Sequence, residues 1–312
     1  MFIKKNTIIV TAGTSYIDID AYACSVAMAE LLRLSGINAV AYSNSPCNYS
    51  VCDYLVSEEE LIKSFPFTDV EYVIVDVSDP EFIKENVPLD KIVEVYDHHV
   101  GFESYWGNRI GTGAHIEFIG ACATLIVREW KKYGCFDQIS RSSTLLLIAA
   151  ILDNTLYLTS NNTTDEDIAV FNELCLKERI DETWCASYFA EVQKNVEADL
   201  CNALFNDMKR IRNNLVLPER VAQLCVWDSE CLFKHLDEMK DLLRKSTDSW
   251  MINVIDIQRR CSYFVCDDEK YQKKIEKVFD VSFENGIAKT KKSYLRKEII
   301  KKTLIKGGSK DD

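Results

Sequence analysis

In the first half of the chain, short runs of Val, Ile and Thr alternate with stretches whose apolar residues recur at helical spacing. TIIVT at residues 7–11 reads as a strand. Residues 22–35 place Val26, Met28, Ala29, Leu31 and Leu32 on a helix that Gly36 stops, and NAVAYS at 38–43 is a second strand. YVIVDV at 72–77 is almost continuously apolar, as expected of a parallel strand buried on both faces, and KIVEVY at 91–96 is a further strand. Short helices are predicted over 58–65 and 80–86. This alternation predicts an α/β fold whose N-terminal domain is a mostly parallel sheet with helices on both faces. In such sheets the polar residues at the carboxyl ends of the strands line the ligand crevice.

Further along, helices are predicted over 115–133, 142–151, 165–177 and 181–196, the third preceded by the polar, cap-rich NNTTDED at 161–167. Strands at 215–217, 222–226, 250–256 and 262–265, with helices at 232–243, 270–278 and 293–306, predict a smaller C-terminal α/β domain. The expected division is a first domain over 1–185, a linker over 186–195 and a second domain over 196–312.

The composition suits about two folded domains: 312 residues, 47% apolar and 28% charged, with 11 Gly and 5 Pro. The formal net charge of -12 disfavours a general nucleic-acid binder. The charge is uneven, however: residues 285–312 carry 9 basic and 3 acidic side chains, leaving a basic tail for a local anion. The 12 cysteines include no CxxC pair, and Cys24, Cys122, Cys175 and Cys201 fall in apolar helical stretches, the pattern of reduced core thiols. The first residues lack the apolar core of a signal peptide, and the apolar run at 145–152 is too short to span a bilayer. A cytoplasmic protein without a membrane partner is expected.

Acidic residues recur where strands or apolar helices end: Asp18-Ile19-Asp20 after the first strand, Asp76 in the third, Asp97-His98-His99 after the fourth, and Asp153 after LLLIAAIL. Each has an ordinary reading. Asp18 could cap the following helix, Asp76 and Asp79 could be loop residues, Asp97 a turn residue, and the histidine pair part of a surface loop. Together, carboxylates set this deep in apolar sequence would repel one another unless cations compensate them. Carboxylates with imidazole suit Mn²⁺, Mg²⁺ or Co²⁺ better than a thiolate zinc site. Two such ions roughly 3.5–4 Å apart would activate a water for attack on phosphorus.

On these residues the chain resembles the DHH phosphoesterase superfamily, named for the triplet seen here as Asp97-His98-His99. It is most similar to the branch with a DHHA2-type second domain: family II manganese-dependent inorganic pyrophosphatases, exopolyphosphatases and prune-like proteins. The family's first motif, G-H-x-N-P-D-x-D, corresponds to Gly13-Thr14-Ser15-Tyr16-Ile17-Asp18-Ile19-Asp20. The resemblance implies that Asp18, Asp20, Asp76, His98 and Asp153 are metal ligands, with Asp76 bridging two ions and His99 facing phosphate oxygens or the leaving group. It implies phosphate clamps at Lys209, in Asp207-Met208-Lys209, and at Arg296 and Lys297, in Leu295-Arg296-Lys297-Glu298. The sequence departs from the family at Thr14, which replaces a histidine, at Tyr16-Ile17, at Val77-Ser78-Asp79, at Asn154 and at Leu295. A hydroxyl is a poorer ligand than imidazole, so one or two ions per chain are expected, with Mn²⁺ first and Mg²⁺ or Co²⁺ as alternatives.

The function so implied is a divalent-metal-dependent phosphohydrolase acting on pyrophosphate or a short polyphosphate. Two alternatives stand beside it: a phosphohydrolase of nucleotides or other small phosphoesters, and a catalytically degenerate, prune-like phosphate-binding or interaction module. The expected partner is a small polyanionic phosphate, nucleic acid is disfavoured, and a homodimer is left open. A dinucleotide-dependent oxidoreductase is opposed by the absence of GxGxxG after the first strand.

Overall fold

The β-rich runs of the first half assemble into one sheet in the computed structural model, which describes residues 7–57, 60–64, 68–83 and 87–307. β1 (Thr7–Thr11) leads through α1 (Ile19–Leu34) to β2 (Ala39–Tyr42), β3 (Leu61–Ile62), β4 (Val70–Val75) and β5 (Ile92–Asp97). Next come α2 (Glu103–Ile110), β6 (Ala114–Ile116), α3 (Cys122–Lys132), α4 (Arg141–Asn154) and α5 (Asp165–Glu178). All strand pairs are parallel, in the order β3-β2-β1-β4-β5-β6. The order reverses between β1 and β4, and the crevice at such a reversal is where open α/β sheets hold their ligands. β4 is VEYVIV with only Glu71 partly exposed, as a strand covered on both faces requires. α1 is buried from Ile19 to Ala29 and packs on α3 and α4.

Local chemistry sets the element ends. Asp18 caps α1 by accepting the Ala21 amide at 3.0 Å. Ser140 caps α4, and Thr164 caps α5 in a reciprocal capping box with Asp167. After α4 the backbone turns left-handed at three successive residues, Leu156, Tyr157 and Leu158 (φ 51°, 57° and 61°). L-residues adopt this state at a cost of about 1–2 kcal/mol each. Here the Tyr157 amide bonded to the Leu152 carbonyl (2.8 Å) and the Leu158 amide bonded to the Thr155 hydroxyl (3.0 Å) hold it.

The chain divides into two compact units between Cys185 and Ala186, with Thr159–Asn161 grouped with the second. The division falls inside α6 (Glu182–Ala198), so residues 186–195 run in a helix that buries Tyr188, Phe189, Val192 and Val196. The second unit continues with α7 (Leu200–Asn206), β7 (Lys209–Arg210), β8 (Arg220–Val226), α8 (Glu230–Phe233) and α9 (Leu236–Ser246). It ends with β9 (Trp250–Asp256), β10 (Cys261–Val265), α10 (Glu269–Phe279), β11 (Ile287–Lys289) and α11 (Arg296–Gly307). Its sheet has the order β11-β10-β9-β8-β7, and only β8 and β9 run parallel. β9 is buried at every residue, and Phe264, Phe279, Tyr294 and Ile299 anchor the core beside it. Both units are α/β, the first the larger and wholly parallel, as the alternation of runs predicts.

Several local expectations differ. Residues 60–64 hold β3 rather than a helix, because Leu61 and Ile62 pair with Ala41 and Tyr42; residues 58, 59 and 65 lie outside the described residues. Residues 80–83 form turns, and 84–86 lie outside the described residues. The helix expected over 115–133 begins only at Cys122, because His115 and Ile116 pair with β5. Residues 215–217 bend without pairing, and the last helix starts at Arg296 rather than 293. α2, β6, α7, β7 and β11 have no counterpart in the predicted pattern.

Gly113, between α2 and β6, passes so close to β5 that a Cβ there would lie 2.4 Å from the Val93 carbonyl oxygen. Gly113→Ala must move backbone on one side or the other. A destabilisation of about 1–3 kcal/mol is expected, read as a lower urea midpoint with unchanged far-ultraviolet circular dichroism at zero denaturant.

Candidate metal centre

Three neighbouring strands deliver the acidic residues to one rim. Asp76 follows β4 in a left-handed backbone conformation (φ 61°), which Asp tolerates better than most residues, and its amide donates to the Tyr96 carbonyl on β5 at 2.8 Å. Asp97 ends β5 with no exposed surface, and His98 and His99 follow it directly. Ligand atoms of Asp76, Asp97, His98 and His99 all lie within 4.8 Å of one another, the one such group of three or more found among the described residues.

The two imidazoles are held differently. His98 is buried, and its Nδ1 lies 3.2 Å from the Ile119 carbonyl. A carbonyl can only accept, so Nδ1 carries a proton and Nε2 is the ring nitrogen left to face the acids. Nε2 faces Asp76 Oδ1 at 3.3 Å and Asp20 Oδ2 at 4.0 Å. His99 is about half exposed (46% of its side chain), and its Nδ1 donates to Asp97 Oδ1 at 2.8 Å, which turns Nε2 away from Asp97. The loop is pinned from beneath: Ser78 donates to the His99 carbonyl at 3.1 Å, and the buried Trp106 indole donates to the Ser78 carbonyl at 2.6 Å.

Asp20 is fully buried in the first turn of α1 but works on another helix. Its carboxylate accepts the Cys122 and Ala123 amides (2.8 and 2.9 Å) at the start of α3, and the Cys24 thiol at 3.3 Å. Burial, and then the neighbouring Asp18 charge, push its pKa up from 3.8 to about 7. Asp76 is pushed well above the usual carboxylate range by burial and then by the Asp20, Asp18 and Asp97 charges. Among the described residues no lysine or arginine pairs with Asp20, Asp76 or Asp97. Asp76 Oδ1 and Asp97 Oδ2 are buried without a hydrogen-bond donor. Buried carboxylates crowded beside an imidazole nitrogen are costly until a proton or a cation stands between them, and oxygen with imidazole nitrogen suits a hard or borderline divalent ion. The donor set therefore fits such an ion.

Of the residues implied as ligands, the structure brings Asp20, Asp76 and His98 together, with Asp18 close enough for its charge to act on both Asp20 and Asp76. Asp18 also serves as the α1 cap. Asp153 stands half-buried in the last turn of α4 and is not one of the four mutually close residues. Asp97, to which the resemblance gives no ligand role, also belongs to this group; its place at a strand end directly before two histidines is the signal for it. The Thr14 hydroxyl donates to the Tyr16 carbonyl. In the second unit, Lys209 is exposed on β7 and Lys297 is half-buried on α11. Arg296 is buried: its Nη2 pairs with Asp207 Oδ1 at 2.6 Å and its Nη1 donates to the Asp207 carbonyl.

The first unit is thus a parallel sheet with an aspartate–histidine–histidine rim, and a smaller mixed-sheet unit follows it. Across nearly its whole length the chain is homologous to manganese-dependent inorganic pyrophosphatases. It is 24% identical over 301 residues to the manganese-dependent inorganic pyrophosphatase of Bacillus subtilis (strain 168), covering 90% of this chain and 92% of the relative. It is 23% identical over 306 residues to the "Probable manganese-dependent inorganic pyrophosphatase" of Exiguobacterium sp. (strain ATCC BAA-1283 / AT1b), covering 94% and 96%. Among solved structures it matches a candidate family II inorganic pyrophosphatase of Methanococcus jannaschii with a TM-score of 0.69 at 18% identity, covering 95% of this chain and 99% of the other. An exopolyphosphatase-related protein of Bacteroides fragilis matches with a TM-score of 0.53 at 13% identity, over 96% and 91%. No protein-family model matches the chain. Among the described residues no helix is long and apolar enough to cross a membrane.

The charge crowding predicts a pH-dependent stability. Asp20 is near 3.8 when unfolded and about 7 when folded without metal, so the folded state holds the extra proton between these values. Stability of the metal-free protein then falls as pH rises from about 4 through about 7. A bound cation removes the penalty. Melting curves with EDTA or with Mn²⁺ should therefore separate more at pH 8 than at pH 5.5; equal separation would contradict the assignment.

Proposed function

We propose that the protein is a divalent-metal-dependent phosphohydrolase that cleaves a phosphoanhydride, pyrophosphate or a short polyphosphate, with Mn²⁺ as the preferred ion. One observation carries this reading: the His98 Nε2 turned onto Asp76 and Asp20, buried acids that no lysine or arginine pairs with among the described residues. Homology to manganese-dependent inorganic pyrophosphatases supports the substrate class and the ion.

Asp76 and His98 would hold the ion, with Asp18, Asp20 and Asp153 as further candidate donors. When bound, a divalent ion polarises phosphoryl oxygens and lowers the pKa of a coordinated water. Asp97 fixes the His99 ring, so that the half-exposed imidazole would face the phosphate oxygens or the leaving group. Charge grows on phosphoryl oxygens as the anhydride breaks, and Lys209, Arg296 and Lys297 are the candidate cations to neutralise it. Because Arg296 is engaged with Asp207, two residues before Lys209, its contribution includes holding the segment that carries Lys209. A homodimer and a cytoplasmic location fit this reading.

A second reading, a phosphate-binding protein without turnover, draws support from Thr14, whose hydroxyl is spent on the Tyr16 carbonyl where the related motif has a histidine. Phosphate release from pyrophosphate, tripolyphosphate and nucleotides, each with Mn²⁺, Mg²⁺ and Co²⁺, separates the two. The expected result is Mn²⁺-dependent release, greatest on the inorganic substrates. His99→Gln should lower kcat by about 10²–10³-fold while calorimetric Mn²⁺ binding is retained. Ion binding without release on any substrate would favour the second reading, and absence of both would overturn the metal centre itself.

A further inference from the structure

We propose that Asp167 is a positioning residue for His98, acting through the single peptide group between Ile119 and Gly120. Asp167 lies in the first turn of α5 with no exposed surface. Its Oδ2 accepts the Thr164 amide and hydroxyl, both at 2.7 Å, and the Gly120 amide at 2.9 Å. Its Oδ1 accepts the Thr124 hydroxyl at 2.6 Å. The capping box needs only Thr164. The Gly120 and Thr124 bonds reach back 47 and 43 residues, to the loop before α3 and to its first turn.

The Gly120 N–H and the Ile119 C=O belong to one planar trans peptide, so fixing the direction of one fixes the other. The N–H is bonded to Asp167, and the C=O faces His98 Nδ1 at 3.2 Å. The result is a relay: carboxylate, peptide, imidazole. Metal-binding histidines commonly donate their second N–H directly to a carboxylate or a carbonyl, which sets the tautomer and raises ligand basicity. Here a peptide stands between the two, and the carboxylate polarises that peptide, making its oxygen a stronger acceptor. The approach leaves no slack: a Cβ on Gly120 would lie 2.5 Å from Asp167 Oδ2 and 2.8 Å from Thr155 Cγ2. The inference rests on His98 being a metal ligand only for its effect on metal affinity; the effect on the His98 tautomer stands apart from it.

Nitrogen-15 and proton spectra of the metal-free, full-length protein, with His98 assigned among its 4 histidines, read the relay directly. The wild type should show His98 protonated on Nδ1 and a Gly120 amide proton shifted downfield; an Nε2-protonated His98 overturns the relay whatever the variants do. Asp167→Ala should shift His98 toward the Nε2-protonated tautomer and weaken Mn²⁺ binding about 10- to 100-fold. Asp167→Asn should largely restore both, since its carbonyl can serve Gly120 while its NH₂ faces the Thr124 hydroxyl, which can accept. Thr124→Val removes only the Oδ1 bond, so it should lower stability without moving the His98 signal. If Thr124→Val moves that signal as far as Asp167→Ala, or if a folded Asp167→Ala leaves it unmoved, Asp167 is structural only. A tautomer response without Mn²⁺ binding in the wild type would uphold the relay and sink the metal centre.

Discussion

Repulsion among Asp18, Asp20, Asp76 and Asp97 governs the first unit. Three adjacent parallel strands end at the same rim, and a parallel sheet is covered on both faces, so carboxylates placed there leave bulk water. The fold answers with backbone dipoles before it answers with charge. Two amides at the start of α3 bond Asp20, the Ala21 amide bonds Asp18, and the His99 amide and imidazole bond Asp97. What these donors leave over is Asp76 Oδ1 and Asp97 Oδ2. The centre is thus defined by what the protein does not neutralise, and that remainder selects a cation.

The legible parts of the sequence were those with local periodicity or unusual residue types in series. The β4 run could be read because a strand buried on both faces must be apolar at consecutive positions, and the Asp97-His98-His99 triplet because it sits at the end of such a run. β6 could not: it has three residues, and its existence depends on pairing with β5. That pairing also shortened the helix expected over 115–133. Nor was the Ile119 carbonyl legible, since a backbone group has no signature in the choice of side chain. Asp20 was visible as an acid, but its two α3 amides lie more than a hundred residues away in the chain.

The basic tail shows how far a charge count can mislead. Lys291 pairs with Asp280, Lys292 reaches Asn161 and the Tyr294 ring, and Lys302 lies over the rings of Phe279 and Tyr294. Much of the positive charge is engaged within its own unit, and the exposed pairs contribute little to stability. Arg296 differs because its pair with Asp207 is buried. Removing one partner of such a pair typically costs about 3–5 kcal/mol, so loss of Arg296 would unsettle the fold and any phosphate contact together.

The left-handed backbone at Asp76 has an evolutionary corollary. Asn and Gly share with Asp a tolerance for that conformation, and both lie one base change from an aspartate codon. A single point mutation can therefore erase the central charge of the site without straining the chain, and it relieves crowding among the remaining acids. Descent from an enzyme to a well-folded relative that binds without reacting is, at this residue, a short path with no structural barrier along it.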